Sequence, residues 1–141
     1  MPILSKERIQ LGASATDRTD AIRQAGELLV KSNCVTPDYV EGMLLRETTM
    51  STFVGNGVAI PHGMLENKEQ IQETGLSVLQ LPAGVEWNPG ETVHLVIGIA
   101  ATSDEHINVL ANLAEALEDE TILNEMLHTT DPDVILKHLD T

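Results

Sequence analysis

His62 stands in a stretch whose residue types could present a nucleophile, Gly55-Asn56-Gly57-Val58-Ala59-Ile60-Pro61-His62-Gly63. The apolar residues Val58 to Ile60 predict a short buried strand, and Pro61 restrains its own φ and favours an extended Ile60. We therefore expect His62 at the end of a strand, on a restrained backbone. An imidazole that titrates near neutral pH is a good nitrogen nucleophile. From this turn alone, the alternative is a surface histidine in a Pro-Gly turn.

An imidazole nucleophile can accept a phosphoryl group and pass it on, which requires positive charge around the phosphoryl oxygens. Arg46, near the end of a predicted helix, carries a planar guanidinium suited to phosphate oxygens. His106 falls in the first turn of another predicted helix, where unpaired backbone N–H groups attract anions. Spacing leaves open whether the three residues meet. Arg46 could instead form an exposed ion pair, and His106 could be a surface residue beside a helix cap.

The remaining histidines predict no further site. His128 and His138 are expected in the last turns of helices, where an imidazolium complements the helix dipole, and His94 at a strand end without an assigned role. The sequence contains no H-E-x-x-H or C-x-x-C motif, so we expect no bound metal. It also lacks a G-x-S-x-G elbow and a phosphate-binding glycine loop, so we expect neither a serine hydrolase nor a nucleotide cofactor.

Composition indicates a single cytoplasmic domain without a nucleic-acid partner. The chain has 141 residues, 42% of them apolar, which is enough for one core spanning residues 1–141. A net charge of −14 with only eight Lys plus Arg residues disfavours nucleic acid and anionic membranes. We expect no direct membrane insertion, because no apolar run could span a bilayer and no signal-peptide pattern begins the chain. The single Cys34 fits a reducing compartment.

Helical and strand patterns alternate along the chain, which predicts an α/β fold with helices on both faces of a sheet. Strands are predicted at about 9–11, 58–60, 76–81 and 93–100, and helices at about 17–31, 36–46, 66–72, 103–117, 121–128 and 132–139.

Three local features of this pattern predict the order of the sheet and the packing of one helix against it. The most continuously apolar strand, Val93–Ala100, is expected at the sheet centre. The strand before it should end at Pro82-Ala83-Gly84, with a loop or hairpin following. The inner face of the 103–117 helix is expected to carry Ile107, Leu110, Ala111, Ala114 and Leu117.

The Gly55–Gly63 stretch resembles the active-site signature of enzyme IIA components of the mannitol/fructose class in the bacterial phosphoenolpyruvate-dependent sugar phosphotransferase system. Leu44-Leu45-Arg46-Glu47 upstream is similar to the mannitol branch in particular. So is the downstream segment Val96-Ile97-Gly98-Ile99-Ala100-Ala101, which is followed by Glu105-His106. The resemblance covers roughly residues 4 to 139.

This resemblance implies a mixed sheet of about five strands in one domain and a phosphoryl-relay function. In such a relay, His62 would accept a phosphoryl group from the carrier protein HPr and donate it to the IIB component of a mannitol or related sugar permease. Arg46 and His106 would support the phosphoryl group. Asn56 stands where some mannitol members carry an acidic residue, so a fructose-type IIA is an alternative, as is a regulatory, nitrogen-related IIA. Because the chain ends at Thr141 without a linker, we expect a freestanding subunit.

Overall fold

Helices and strands alternate along the chain in a computed structural model that describes residues 3–139, apart from the side chains of residues 65, 66, 103 and 104. The strands are β1 (Ile9–Gln10), β2 (Phe53–Gly55), β3 (Val58–Ala59), β4 (Gly75–Asn88) and β5 (Glu91–Ala100). The α-helices are α1 (Arg18–Lys31), α2 (Asp38–Thr49), α3 (Ser103–Glu118), α4 (Glu120–His128) and α5 (Pro132–Leu139). Two 3₁₀ helices cover Lys6–Arg8 and Leu65–Gln70.

The sheet is mixed and has the strand order β1-β4-β5-β3-β2. β4 and β5 pair antiparallel, as do β2 and β3, whereas β1 pairs parallel with β4 and β3 pairs parallel with β5. β5 lies in the middle, as its continuous apolar pattern predicts. The predicted α/β class with a mixed sheet of about five strands is confirmed.

Alternate residues of β5 supply two separate apolar clusters, one on each face of the sheet. Val96 and Ala100 face the cluster that contains residues of α1 and α2. Leu95, Ile97 and Ile99 face the cluster that contains residues of α3, α4 and α5. The helices therefore cover both faces of the sheet, as predicted.

Two features of the strands differ from the sequence expectations. β4 does not end at Pro82 but continues to Asn88, because the pairing with β5 shifts register between Gln80 and Val85. A proline is tolerated within a strand at such an irregularity, where no ladder N–H is needed. β2 was not predicted. It is only three residues long and joins β3 through Asn56 and Gly57, whose φ angles of 54° and 79° suit a tight two-residue hairpin turn.

The predicted inner face of α3 was wrong for three of its five residues. Ile107, Ala111 and Ala114 are exposed, and the buried residues are Val109 and Leu113. Both sets recur with helical spacing, so periodicity alone allowed two apolar stripes. Leu110 and Leu117 do pack against the core at the edge of the buried stripe. The exposed stripe begins at Ile107, beside His106.

The two isoleucines Ile97 and Ile107 provide a matched test of this packing. Ile97→Ala should lower the free energy of unfolding by about 2–5 kcal/mol, because the fully buried side chain leaves a cavity. Ile107→Ala, at a side chain that is 75% exposed, should change it by less than about 0.5 kcal/mol. Denaturant unfolding measures both, and Ile97→Val, with an expected loss of about 0.5–1.5 kcal/mol, serves if Ile97→Ala does not fold. Equal losses at the two positions would contradict this packing.

Candidate active site

His62 lies just past the end of β3, where the backbone still runs beside the central strand. The Ile99 N–H donates a hydrogen bond to the Pro61 carbonyl at 2.9 Å, and His62 forms an isolated parallel bridge with Ile99. The histidine is therefore carried by a backbone that is anchored to β5 although β3 itself is only two residues long.

Tyr39 of α2 holds this strand end from one side. Its hydroxyl donates to the Ile99 carbonyl at 2.8 Å and accepts from the Gly63 N–H at 2.9 Å. A Cβ on Gly63 would lie 2.6 Å from the tyrosine ring, so the glycine is needed for this close approach. Tyr39 was missed from sequence, because its partner Ile99 lies 60 residues away along the chain. The one usable signal was that it is the single tyrosine in a chain with 2% aromatic residues.

Among the described residues, only one nitrogen of the His62 imidazole has a hydrogen-bond partner. Nδ1 lies 2.9 Å from the Ile60 carbonyl oxygen. Because a carbonyl can only accept, Nδ1 must carry the proton of this hydrogen bond. In the neutral ring, Nε2 then has the unshared electron pair, which is the form required of a nucleophile.

The surroundings of His62 favour the neutral imidazole. Burial lowers the pKa of His62, and the nearby Arg46 and His106 lower it further. The hydrogen bond to the Ile60 carbonyl and the charge of Glu47 act in the opposite direction without reversing the shift. At neutral pH the ring is therefore uncharged and its Nε2 lone pair is available.

The three predicted site residues line one cleft of about 400 Å³. The ring centroids of His62 and His106 are 5.2 Å apart, with 57° between the ring planes. Arg46 lies in the same wall, and its Nη1 donates to the Met50 carbonyl at 2.8 Å. Burial lowers the pKa of His106, and the charge of Arg46 adds to this effect. Residues 46, 62 and 106, which spacing could not connect, are thus brought together by the fold.

Lys68 adds a second permanent cation to the cleft lining. It belongs to the 3₁₀ helix Leu65–Gln70, which the sequence indicated only as a polar surface helix. Two cationic side chains beside two histidines, in a chain of net charge −14, make this cleft a local site for an anion. No sequence signal distinguished Lys68 from an ordinary surface lysine.

The other three histidines make contacts away from this cleft. Nδ1 of His94 lies 3.2 Å from the Leu81 carbonyl, and Nδ1 of His128 lies 2.9 Å from the Asn124 carbonyl. His138 contacts the Glu125 carboxylate at 2.8 Å. A larger cleft of about 770 Å³ contains His94 and His128 but no Lys or Arg from the described part of the chain.

The described residues show neither a metal-binding cluster nor a membrane-spanning helix. Within them, no group of three or more His, Cys, Asp or Glu side chains could hold a metal ion. No helix among them is long and apolar enough to cross a membrane.

Comparisons with known proteins identify the family of this chain. The family model for the phosphoenolpyruvate-dependent sugar phosphotransferase system, EIIA 2, matches residues 2–141. A multiphosphoryl transfer protein of Rhodobacter capsulatus is 46% identical over 136 residues, which are 96% of this chain but only 16% of that protein. The mannitol-specific phosphotransferase enzyme IIA component of Bacillus subtilis (strain 168) is 39% identical over 127 residues, 90% of this chain and 89% of that protein.

A solved structure shows the same fold. It is the complex of enzyme IIAMTL and phosphorylated enzyme IIBMTL from Escherichia coli, with a TM-score of 0.89 and 42% sequence identity. The match covers 96% of this chain and 95% of the chain in that complex. The family match over nearly the whole sequence and these relatives establish that the chain belongs to the EIIA 2 family of the phosphoenolpyruvate-dependent sugar phosphotransferase system.

Proposed function

We propose that this chain is the phosphoryl-relay component of a mannitol phosphotransferase system. His62 accepts a phosphoryl group from phosphorylated HPr and passes it to the IIB component of a mannitol permease. The observation that carries the proposal is the neutral His62 imidazole, with its free Nε2, in one cleft with Arg46 and His106. The mannitol-specific IIA relative and the solved IIA–IIB complex support the choice of sugar and acceptor.

The transfer step needs no external proton donor or cofactor. The Nε2 lone pair of His62 attacks the phosphorus of phosphohistidine on HPr, an N–P bond forms, and the N–P bond to HPr breaks. The electron pair of the broken bond returns to the imidazole of HPr. Since His62 keeps its Nδ1 proton, its ring gains positive charge, and the Ile60 carbonyl then accepts a stronger, charge-assisted hydrogen bond. In donation to IIB, a nucleophile of IIB attacks the phosphorus, the N–P bond to His62 breaks, and its electron pair returns to the His62 imidazole.

Arg46 and His106 have different roles in this proposal. Arg46 is always cationic and can hold two phosphoryl oxygens, so it stabilises both phospho-His62 and the transition state. His106 provides one ring N–H, and its low pKa keeps it neutral until an anion arrives. It therefore acts mainly when negative charge is spread over the equatorial oxygens during transfer.

The competing assignments receive less support. Asn56, the residue shared with the fructose branch, lies at the tip of the β2–β3 hairpin and does not line the His62 cleft. It fits the turn because asparagine tolerates a positive φ. A regulatory, nitrogen-related role has no comparable support from the relatives described above. A cytoplasmic location follows from this relay, because its donor HPr and the IIB component meet it there.

Phosphorylation should occur on His62 alone. After incubation with phosphorylated HPr, mass spectrometry should show one acid-labile, base-stable phosphate, and ³¹P NMR should place it on Nε2, because Nδ1 is occupied by the Ile60 carbonyl. Adding the mannitol IIB component should remove this phosphate. His62→Ala should take up none, whereas His128→Ala, the matched control, should be labelled normally. Labelling of His62→Ala would refute the assignment.

The two supporting residues should separate in their effects on rate and equilibrium. His106→Ala should slow transfer from HPr about 10²–10³-fold, the usual effect of losing one transition-state donor, with little change in the final phosphate distribution. Arg46→Ala should reduce both the rate and the phosphorylated fraction at equilibrium. Rapid-quench kinetics with end-point analysis measures both quantities, with His94→Ala as a control outside the cleft. A wild-type rate in His106→Ala would leave His106 only a structural role.

A further inference from the structure

Glu47 is a buried carboxylate that the relay mechanism has not used. It is 5% exposed and lies in the last turns of α2, next to Arg46. Its Oε2 accepts from the Thr52 N–H at 2.8 Å and from Trp87 Nε1 at 3.0 Å, and its Oε1 accepts from the Thr52 hydroxyl at 2.6 Å. Among the described residues it forms no ion pair with a Lys, Arg or His side chain. Burying a carboxylate without an ionic partner costs stability, and a neutral amide could make the same three contacts, so structure alone does not account for a glutamate here.

Successive hydrogen bonds connect this carboxylate to the imidazole of His62. Glu47 binds the N–H of Thr52, and the Thr52 carbonyl accepts from the Ile60 N–H at 3.0 Å. The Ile60 carbonyl in turn accepts from Nδ1 of His62 at 2.9 Å. The three bonds follow one another through the backbone of Thr52 and Ile60. A shift of Thr52 would therefore move the Ile60 carbonyl relative to the His62 ring.

The same carboxylate also fastens the chain segment that follows Arg46. Arg46 precedes Glu47 in α2, and its guanidinium donates to the Met50 carbonyl at 2.8 Å. The Met50 N–H donates back to the Arg46 carbonyl at 3.3 Å. Because Glu47 ties Thr52 to the helix, the short connection from α2 to β2 is held at both ends. Glu47 thus lies at the junction of the two elements that carry Arg46 and His62.

We propose that Glu47 is a positioning residue for phosphoryl transfer, which acts through Thr52 and Ile60 to hold the His62 ring and which offsets the positive charge that this ring gains on phosphorylation. The inference rests on the proposed function. Arg46 and Tyr39 from α2, His106 from α3 and Lys68 from the 3₁₀ helix share the cleft with His62, and buried Glu47 acts on the ring through its charge. Among these five, Glu47 is the one carboxylate, and its charge raises the pKa of His62 against the lowering by burial, Arg46 and His106.

Glu47→Gln isolates the charge from the hydrogen bonds. The amide oxygen can accept from Trp87 and the Thr52 N–H, and the amide NH₂ can donate to the Thr52 hydroxyl, so all three contacts survive. Without the negative charge, the pKa of His62 should fall further, measured by NMR titration of the unphosphorylated protein. The phosphorylated fraction relative to HPr should drop about threefold to tenfold, equivalent to roughly half to one pKa unit.

Glu41→Gln is the matched control, because it removes one unit of charge from the same helix. Glu41 is exposed and pairs with Arg23 at 3.5 Å, so its loss should leave the pKa of His62 and the phosphorylated fraction unchanged. If Glu47→Gln behaves like Glu41→Gln in both measurements, the proposal is overturned. A lower unfolding free energy with an unchanged His62 pKa would equally overturn it, because that outcome describes a purely structural residue.

Glu47→Asp completes the test if Glu47→Gln does not fold. It keeps the charge but cannot reach Thr52 and Trp87 in the same way, so transfer should slow while the pKa of His62 stays closer to wild type. An unchanged transfer rate would count against positioning. The titrations need no partner protein, so they remain informative if the wild-type chain takes no phosphate from HPr, the result that would instead refute the proposed function.

Discussion

The hydrogen bond from Nδ1 of His62 to the Ile60 carbonyl is the contact on which the proposed chemistry depends. It joins residues only two positions apart, across Pro61, at a length of 2.9 Å. Pro61 restrains the backbone between the two groups and has no N–H of its own to compete for the carbonyl. The proton is thereby kept on Nδ1 and the lone pair on Nε2. If the ring could rotate freely, either nitrogen could point into the cleft. The nucleophilic nitrogen would then have no fixed position relative to Arg46 and His106.

The sheet supplies the rigidity that this contact needs. Pro61 is held by Ile99 of the central strand, and Gly63 is held by Tyr39, whose hydroxyl also binds the Ile99 carbonyl. Residues on both sides of His62 are therefore attached to β5, the central strand. Burial of the ring lowers its pKa, and two fixed cations nearby prepare the cleft for a phosphoryl group. The net charge of −14 on the chain as a whole would steer a partner with a basic docking surface toward it.

Local sequence patterns predicted the elements but not the contacts between them. Asp17, at the predicted start of the first helix, caps α1 by accepting a hydrogen bond from the Asp20 N–H, a contact between neighbours in sequence. The inner face of α3 was predicted partly on the wrong side of the helix, because α3 carries two apolar stripes with the same period. The roles of Tyr39 and Glu47 were not predicted, for a different reason. Their partners Ile99 and Trp87 are 60 and 40 residues away along the chain, and no local pattern reports such pairing.

In the candidate site, too, the features that depend on neighbours in sequence were predicted and the contacts between distant residues were not. His62 could be singled out because strand, proline and glycine signals surround it within nine residues. Arg46 and His106 could be named for their chemistry and for the family resemblance, but their meeting depends on how α2 and α3 pack around the end of β3. Lys68 had no signal at all, since a lysine in a polar helix is usually a solvated surface residue.

The tautomer of His62 in the resting protein is the most direct measure of whether the site is organised in this way. Nitrogen-15 chemical shifts of the imidazole, recorded on the unphosphorylated chain at a pH above the His62 pKa, distinguish a protonated ring nitrogen from a bare one. The structure predicts a protonated Nδ1 and a bare Nε2. A His62 ring protonated on Nε2, or one averaging rapidly between the two tautomers, would contradict the proposed nucleophile.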